Sequence, residues 1–148
     1  MKLSLGSTST RTFMVIPAAV LLEQAHRRRP LRPRWLPVMA WGFLQYCYVG
    51  RYRNRYGGGG PGLSRPPERL LSSGPYAVTR NPMYLGHLIF LAGLALFTRS
   101  SVATLVAMAH VPWFERRVRG DEENLERLFG DEYREYRDRV ARWLPWLS

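Results

Sequence analysis

Four apolar stretches alternate with polar or charged stretches along the chain. The short connection TRSS at 98–101 predicts that the last two apolar stretches form an antiparallel helical hairpin over 83–114. In the charged tail, apolar and aromatic residues recur every three or four positions, which predicts a C-terminal amphipathic helix. The apolar stretches are residues 13–22, 35–50, 83–97 and 102–114.

None of these stretches reaches the roughly 18 consecutive apolar residues that are typical of a membrane-spanning helix. As a helix, the stretch 83–97 would measure roughly 22 Å, and its flanks bring it towards the ~30 Å of a hydrocarbon core. The mean hydropathy of −0.25 is unusual for a polytopic membrane protein, but the polar residues are concentrated in blocks between the apolar stretches. We predict an all-α, multi-span helical membrane protein with about four apolar helices, the hairpin 83–114 and the amphipathic helix.

The charges give conflicting indications of orientation. The first apolar stretch contains Pro17 and has no small-x-small cleavage pattern, which favours a retained anchor over a removed signal peptide. If the stretch 83–97 starts on the cytoplasmic side, the central linker and the tail lie inside, as the positive-inside rule favours. Two further crossings would then place the arginines of 27–34 outside, so either the rule is broken there or 13–22 does not span.

The 148 residues predict a single domain, with a Gly/Pro-rich linker at 51–73. Within the linker, GGGGPG at 57–62 formally satisfies the dinucleotide-binding pattern G-x-G-x-x-G. That pattern requires a hydrophobic strand before it and a helix start after it, whereas RYRNRY precedes it and LSRPPER follows. We interpret it as a connector.

The charge balance is strongly basic, with 22 Lys and Arg against 11 Asp and Glu and a net charge of +11. Lys2 is the only lysine. The arginines reflect codon usage or a phosphate-bearing partner, which means nucleic acid or lipid headgroups. The single cysteine, Cys47, excludes an internal disulfide and a cysteine-based zinc site, and no metal site is expected.

The stretch GPYAVTRNPMY at 74–84 begins the third apolar helix. Asn81 is a preferred N-cap residue, and Pro82 fits the first helical turn. Gly86 allows the close approach of another helix or a ligand. Capping leaves Tyr76, Arg80 and Tyr84 unexplained.

About 40 residues later comes DEENLERLFGDEYREYRDRVARWLP. Together the two stretches resemble the integral-membrane methyltransferases that include isoprenylcysteine carboxyl methyltransferase and the phospholipid N-methyltransferases. The shared pattern is GPY-x(3)-R-(H/N)-P-x-Y-x-G, an apolar hairpin, then E-E-x(2)-L-x(3)-F-G-x(2)-Y-x(2)-Y. It covers roughly residues 64–146, and the two halves together are specific.

The resemblance implies a helical membrane enzyme that uses S-adenosyl-L-methionine and has no Rossmann domain. It implies a cofactor-binding core at 74–146, in the cell inner membrane, with the cofactor site on the cytoplasmic side. Arg80 and Tyr84 are the implied catalytic residues. The implied cofactor-binding residues are Tyr76, Arg80, Asn81, Pro82, Tyr84, Asp121 and Glu122.

Two positions depart from the family pattern. Aspartate replaces glutamate at Asp121, and Glu123 would supply the missing carboxylate if the register slips by one. Asn81 replaces histidine, and His87, one turn beyond Tyr84 on the same face, is a candidate substitute. A structural role is the alternative for a lone histidine.

These residue types suit the cofactor. A guanidinium such as Arg80 binds a carboxylate bidentately, and Glu122 accepts bonds from an ammonium or from ribose hydroxyls. A carboxylate or thiolate acceptor needs no base, whereas an amine must lose a proton, and no conspicuous base is visible. The expected partners are a lipid bilayer and a lipophilic or small methyl acceptor, without nucleic acid, and the oligomeric state is left open.

The competing interpretation is a non-catalytic basic protein that binds nucleic acid or anionic lipid. In that case the carboxylates form a solvated helix face with pairs such as Glu123–Arg127. Tyr133 and Tyr136 are interpreted as packing residues in either case.

Overall fold

The part of the chain that the structure describes is helical. The structure, a computed structural model, describes residues 7–58 and 67–144, and no strand occurs among them. The predicted all-α class is therefore confirmed. A π-helical segment covers Arg11–Val15, and 3-10 turns cover Pro33–Trp35 and Gly74–Ala77. The α-helices are α1 (Thr8–Thr10), α2 (Ile16–His26), α3 (Leu36–Tyr56), α4 (Pro82–Thr98), α5 (Ser101–Phe129) and α6 (Asp131–Arg139).

The predicted hairpin is formed by α4 and α5. Arg99 and Ser100 separate the two helices, and Arg99 has a φ of 50°, in the left-handed region. The Ser100 hydroxyl accepts a hydrogen bond from the Ala103 N–H at 3.2 Å, which caps the first turn of α5. The same hydroxyl donates to a Glu23 carboxylate oxygen at 2.6 Å. The chain therefore turns within two residues because a serine cap begins the second helix.

Glycines allow α3 to approach α4 closely. A Cβ added to Gly42 would lie 2.7 Å from the Gly86 carbonyl oxygen and 2.5 Å from the Phe90 backbone nitrogen. A Cβ added to Gly93 would lie 2.9 Å from the Met39 backbone nitrogen. The close approach predicted at Gly86 is present, since another glycine faces it.

The central linker is shorter than predicted. Helix α3 continues to Tyr56, so residues 51–56 are helical. Basic side chains at a helix C-terminus interact favourably with the helix dipole, and Arg53 and Arg55 lie in the last turn. Residues 59–66, which include most of GGGGPG, lie outside the described residues.

The tail forms two helices, since α5 ends at Phe129 and α6 begins at Asp131. Between them Gly130 has φ 54° and ψ −122°, a conformation that is readily accessible only to glycine. The predicted amphipathic helix is therefore divided between the end of α5 and α6.

The chain divides into two compact units. Unit 1 comprises Met1–Leu44 and Gly86–Pro112, and unit 2 comprises Gln45–Leu85 and Trp113–Ser148. The buried core of unit 1 includes Val20, Leu94 and Ala103. Unit 2 buries mainly aromatic and branched side chains, namely Val49, Phe114, Val118, Tyr133 and Tyr136.

The prediction of a multi-span membrane protein is wrong. Within residues 7–58 and 67–144, no helix is both long enough and apolar enough to cross a bilayer. Helix α4 is apolar but has 17 residues, whereas α3 and α5 are longer and run on into charged sequence. The apolar stretches were recognised, but α4 matches its stretch and is too short, whereas α3 and α5 continue beyond theirs.

Candidate functional site

Helix α5 supplies the acidic half of the site in unit 2. Glu115 and Glu122 are seven residues apart and therefore lie on the same helix face, about 10 Å apart along the axis. Glu122 is buried, with 7% of its surface exposed. Glu123 is exposed, so the structure brings Glu122 into the interior and leaves Glu123 outside the site.

The stretch before α4 is held by backbone carbonyls from the C-terminal part of unit 2. The Arg80 N–H donates to the Ala141 carbonyl at 3.0 Å, and the Thr79 hydroxyl donates to the Arg142 carbonyl at 3.0 Å. Thr79 Oγ1 also accepts a bond from the Asn81 N–H at 3.2 Å. The polar residues of this stretch are therefore explained by tertiary contacts as well as by helix initiation.

Pro82 is the first residue of α4, as predicted, and it is buried. Asn81 precedes the helix, and its carbonyl accepts the bond from the Leu85 N–H at 3.0 Å. The Asn81 side-chain nitrogen donates to Glu122 Oε1 and to the Arg142 carbonyl, each at 3.2 Å. Asn81 therefore occupies the N-cap position while its side chain supplies a neutral donor to a buried carboxylate.

Glu122 contacts three side chains of unit 2. Its Oε1 lies 3.4 Å from Arg80 Nε and accepts the bond from Asn81. Its Oε2 accepts bonds from Arg142 Nε at 3.1 Å and Arg142 Nη2 at 3.0 Å. The side chains of Arg80 and Glu122 are each 9% exposed, and a carboxylate buried to this degree requires paired partners. The two halves of the sequence pattern thus meet at one carboxylate.

Arg80 and Tyr133 also carry buried donors with no hydrogen-bond partner among the described residues. Besides Arg80 Nε, which forms the ion pair with Glu122 but no hydrogen bond, these atoms are Arg80 Nη1 and the Tyr133 hydroxyl. The pKa of Tyr133 is raised to about 12, first by burial and then by the charge of the Glu122 carboxylate, while Arg80 opposes the shift. A buried donor without an acceptor costs about 1–3 kcal/mol, so an acceptor brought by a ligand would stabilise either atom.

Tyr84 and Asp121 form a second polar contact between α4 and α5. The Tyr84 hydroxyl donates to Asp121 Oδ2 at 2.6 Å and accepts a bond from Arg117 Nε at 3.0 Å. The ring lies 5.1 Å from the Phe114 ring, measured between centroids. Burial raises the pKa of Tyr84, and the hydrogen bond to Asp121 raises it further. Tyr84 is therefore protonated at neutral pH, and the aspartate that departs from the family pattern is its acceptor.

Tyr76 is attached to α6. Its carbonyl accepts a bond from the Tyr136 hydroxyl at 2.7 Å, and its ring centroid is 6.5 Å from that of Tyr52. Burial raises the pKa of Tyr76 to about 12, an effect that the charge of Arg53 partly offsets. Tyr136 is 3% exposed, so its interpretation as a packing residue agrees with its contacts.

Arg142, Trp143 and Glu115 belong to the same cluster, although sequence reasoning assigned them no role. Arg142 Nη1 donates to Glu115 Oε1 and Trp143 Nε1 donates to Glu115 Oε2, each at 2.8 Å. Burial raises the pKa of Glu115, but the hydrogen bonds from Trp143 and Arg119 and the charge of Arg142 together hold it below its usual value. The signal in the sequence was the seven-residue spacing of Glu115 and Glu122, which places two carboxylates on one helix face.

His87 belongs to unit 1, whereas the other predicted site residues belong to unit 2. It is 3% exposed, and its ring stacks on Phe13 with a centroid distance of 4.7 Å. The pKa of His87 is lowered to about 3, mainly by burial and in smaller part by the charge of His110. The imidazole is therefore neutral at pH 7, and its role as a substitute for the family's histidine stays a prediction.

Known proteins share the part of the chain that carries this site. A sequence model of the phospholipid methyltransferase family matches residues 41–132. The protein-S-isoprenylcysteine O-methyltransferase of Schizosaccharomyces pombe is 35% identical over 78 residues, which is 51% of this chain and 33% of the relative. The protein-S-isoprenylcysteine O-methyltransferase B of Arabidopsis thaliana is 32% identical over 83 residues, 55% of this chain and 42% of the relative.

A third relative carries the name of a different acceptor. Methanethiol S-methyltransferase 1 of Bradyrhizobium diazoefficiens is 31% identical over 85 residues, which is 57% of this chain and 29% of the relative. The chain spans less than half the length of each of these curated relatives. The family match covers more than half of the chain and includes both Arg80 and Glu122, so the chain belongs to the phospholipid methyltransferase family.

Proposed function

We propose that this chain transfers a methyl group from S-adenosyl-L-methionine to a lipophilic or small acceptor. Family membership supports the reaction class. The observation that carries the proposal is the contact between Arg80 and Glu122, 3.4 Å apart and buried, which joins the two halves of the family pattern.

The polar groups of unit 2 fit the cofactor. When bound, S-adenosylmethionine supplies an electrophilic methyl group on a sulfonium. Arg80 would bind its carboxylate through Nη1, which has no acceptor among the described residues. The Tyr133 hydroxyl would donate to a second oxygen, and Glu122 would accept from the ammonium or a ribose hydroxyl. Tyr76, Asn81, Pro82 and Asp121 complete the proposed binding residues.

The chain's own contribution to the reaction is orientation. Tyr84 keeps its proton, since burial and Asp121 both raise its pKa, and its hydroxyl is held by Asp121 and Arg117, so it would position the reacting groups rather than take up a proton. Arg80 would hold the donor through charge. Both proposed catalytic residues thus act without accepting a proton.

An acceptor that is already anionic fits the site best. The ranges of unit 2 contain no histidine, and the pKa values of Tyr76 and Tyr133 are raised to about 12. Glu122 is occupied by two guanidinium groups. An amine acceptor needs a base, whereas a carboxylate or a thiolate does not, so we favour the acceptor classes named in the relatives over a phospholipid amine.

Contact with lipid is part of the proposal. Large apolar side chains are exposed at three-residue spacing along α5, at Val102, Leu105, Met108 and Val111, with exposed fractions from 47% to 65%. Such a stripe on a helix surface is typical of an interaction site. The excess of arginine favours the anionic cytoplasmic leaflet of the inner membrane.

Binding of the demethylated product, S-adenosylhomocysteine, tests the cofactor site. We expect isothermal titration calorimetry to show affinity losses of about 10- to 100-fold for Arg80→Gln and about five- to tenfold for Tyr133→Phe. Arg116→Gln is the matched control, because Arg116 is an exposed arginine on α5. Equal affinities for the wild type, R80Q and R116Q would contradict the proposed site.

Transfer of a labelled methyl group tests the acceptor. The panel consists of a farnesylated N-acetylcysteine, methanethiol and phosphatidylethanolamine. We expect labelling of the first or the second, and labelling of the amine alone would overturn the acceptor class. Salt-sensitive binding to nucleic acid, without product binding, would instead favour the non-catalytic basic protein.

A further inference from the structure

Unit 1 contains a cavity of about 660 Å³ lined by three arginines, Arg32, Arg34 and Arg99. Arg32 and Arg34 come from the segment before α3, and Arg99 comes from the connection between α4 and α5. Apolar and aromatic side chains complete part of the wall, at Trp35, Leu96 and Leu105. None of these residues belongs to the methyltransferase site described above.

The charge of the three arginines is not compensated within the described residues. No ion pair there involves any of the three, and the lining of the cavity contains no carboxylate. Glu23, an acidic residue of the same unit, is bound to Arg27 at 3.0 Å and to the Ser100 hydroxyl. Guanidinium groups around one cavity repel each other, so an anion between them is electrostatically favoured.

The backbone around the cavity is fixed by local contacts. The Arg32 N–H donates to the Phe97 carbonyl at 2.8 Å, which joins the segment to α4. The Arg34 guanidinium lies 5.6 Å from the centroid of the Trp35 ring. The first residue of α5, Ser101, also lines the cavity, so the positive end of a 29-residue helix adds to the field of the arginines.

The apolar part of the wall indicates the rest of the ligand. Leu96 and Leu105 are 43% and 65% exposed, and Leu105 belongs to the apolar stripe of α5. A free inorganic anion would leave these side chains in water, whereas an amphiphile would cover them. We propose that the cavity binds an anionic phospholipid, with the phosphate between the three arginines and the acyl chains along Leu96 and Leu105.

The probe is dihexanoyl phosphatidylglycerol, used below its critical micelle concentration and titrated into the full chain by calorimetry. Glycerol 1-phosphate carries the phosphate without acyl chains, and dihexanoyl phosphatidylcholine carries the chains without net charge. We expect the phosphatidylglycerol to bind at least tenfold more tightly than either. Tight binding of glycerol 1-phosphate alone would overturn the assignment to a lipid, and equal binding of the two lipids would overturn the role of charge.

Substitutions assign the binding to this cavity. Each of R32Q, R34Q and R99Q should weaken phosphatidylglycerol binding about tenfold, because each removes a charged hydrogen bond. The control variants R51Q, R55Q and R116Q remove the same charge elsewhere and should change binding less than twofold. Equal losses in the two sets would overturn the proposal.

Ser101→Asp tests the site with a variant that is expected to fold well. The new carboxylate lies at the N-terminus of α5 and beside the arginines, so it should raise the thermal unfolding midpoint. It should also compete with the lipid and weaken phosphatidylglycerol binding more than tenfold, without changing the affinity for S-adenosylhomocysteine. An S101D variant that binds the lipid like the wild type would refute the site, whatever the outcome for the methyltransferase proposal.

Discussion

Glu122→Gln isolates the negative charge at the centre of the cluster in unit 2. The carboxylate lies 3.4 Å from Arg80 Nε and accepts bonds from Asn81 and twice from Arg142. Glutamine keeps the shape but places an amide NH2 among groups that are all donors. The side chains of Arg80 and Glu122 are each 9% exposed, so water screens the loss only weakly.

The expected cost is about 3–5 kcal/mol, the range for removing one partner of a buried ion pair. With a urea m-value of about 2 kcal/mol/M, this corresponds to a fall in the unfolding midpoint of roughly 1.5–2.5 M. The measurement is equilibrium unfolding in urea, followed by the helical circular dichroism signal. Because the pair is buried, the difference from the wild type should persist in 1 M salt.

Glu126→Gln is the matched control on the same helix. Glu126 also pairs with two arginines, Arg134 and Arg137, each at 2.9 Å, but those side chains are 55% and 41% exposed. Ion pairs on the surface contribute little to the free energy of unfolding, so the urea midpoint of E126Q should lie close to that of the wild type. Any difference between the two midpoints should vanish in high salt. An E122Q midpoint that matches the E126Q midpoint would refute the reasoning.

Two further predictions concern the glycines Gly42 and Gly120 and the buried His87. Gly42→Ala should destabilise the protein by about 3 kcal/mol or more in urea unfolding, because the added Cβ would meet backbone atoms of Phe90, whereas Gly120→Ala, with nothing within 4 Å, should stabilise it by about 0.5–1 kcal/mol. In urea unfolding, the midpoint of Gly42→Ala should lie below that of the wild type, and the midpoint of Gly120→Ala should lie above it. His87 has a pKa of about 3 in the folded state against 6.5 when unfolded, so its contribution to stability is present above pH 6.5 and is lost as the pH falls towards 3. Between pH 7.5 and 5.5 the wild type should therefore lose about 1.4 kcal/mol that His87→Gln does not lose, and the exposed His26→Gln should follow the wild type.

Local sequence signals predicted the helices well and their ends poorly. The start of α4 at Pro82 was predicted from Asn81 and Pro82, and the hairpin from the short connection between the apolar stretches. The membrane prediction failed because α4 has only 17 residues, and because α3 and α5 continue from apolar into charged sequence. Helix α5 ends at Phe129, before Gly130, well beyond its apolar part.

For the site, the family resemblance implied that Arg80 and Glu122 lie at one pocket, and the structure brings them 3.4 Å apart. Sequence reasoning missed the role of Arg142, because its backbone carbonyl and its guanidinium act on different partners. That arrangement depends on the turn at Gly130, which returns the chain after α5. The spacing of Glu115 and Glu122 places two carboxylates on one helix face, but nothing in the sequence indicates that Arg142 binds both.

Because Arg142 binds both Glu115 and Glu122, the number of residues between these two carboxylates of α5 is fixed. The two carboxylates face the same way because they are separated by two helical turns, and a single inserted residue between them would rotate one by about 100° away from the other. An exposed residue between them, such as Arg116, can be exchanged, whereas the number of residues cannot. The spacing of the two carboxylates is therefore a constraint of its own, beside the burial of Val118 and the hydrogen bond that Asp121 accepts from Tyr84.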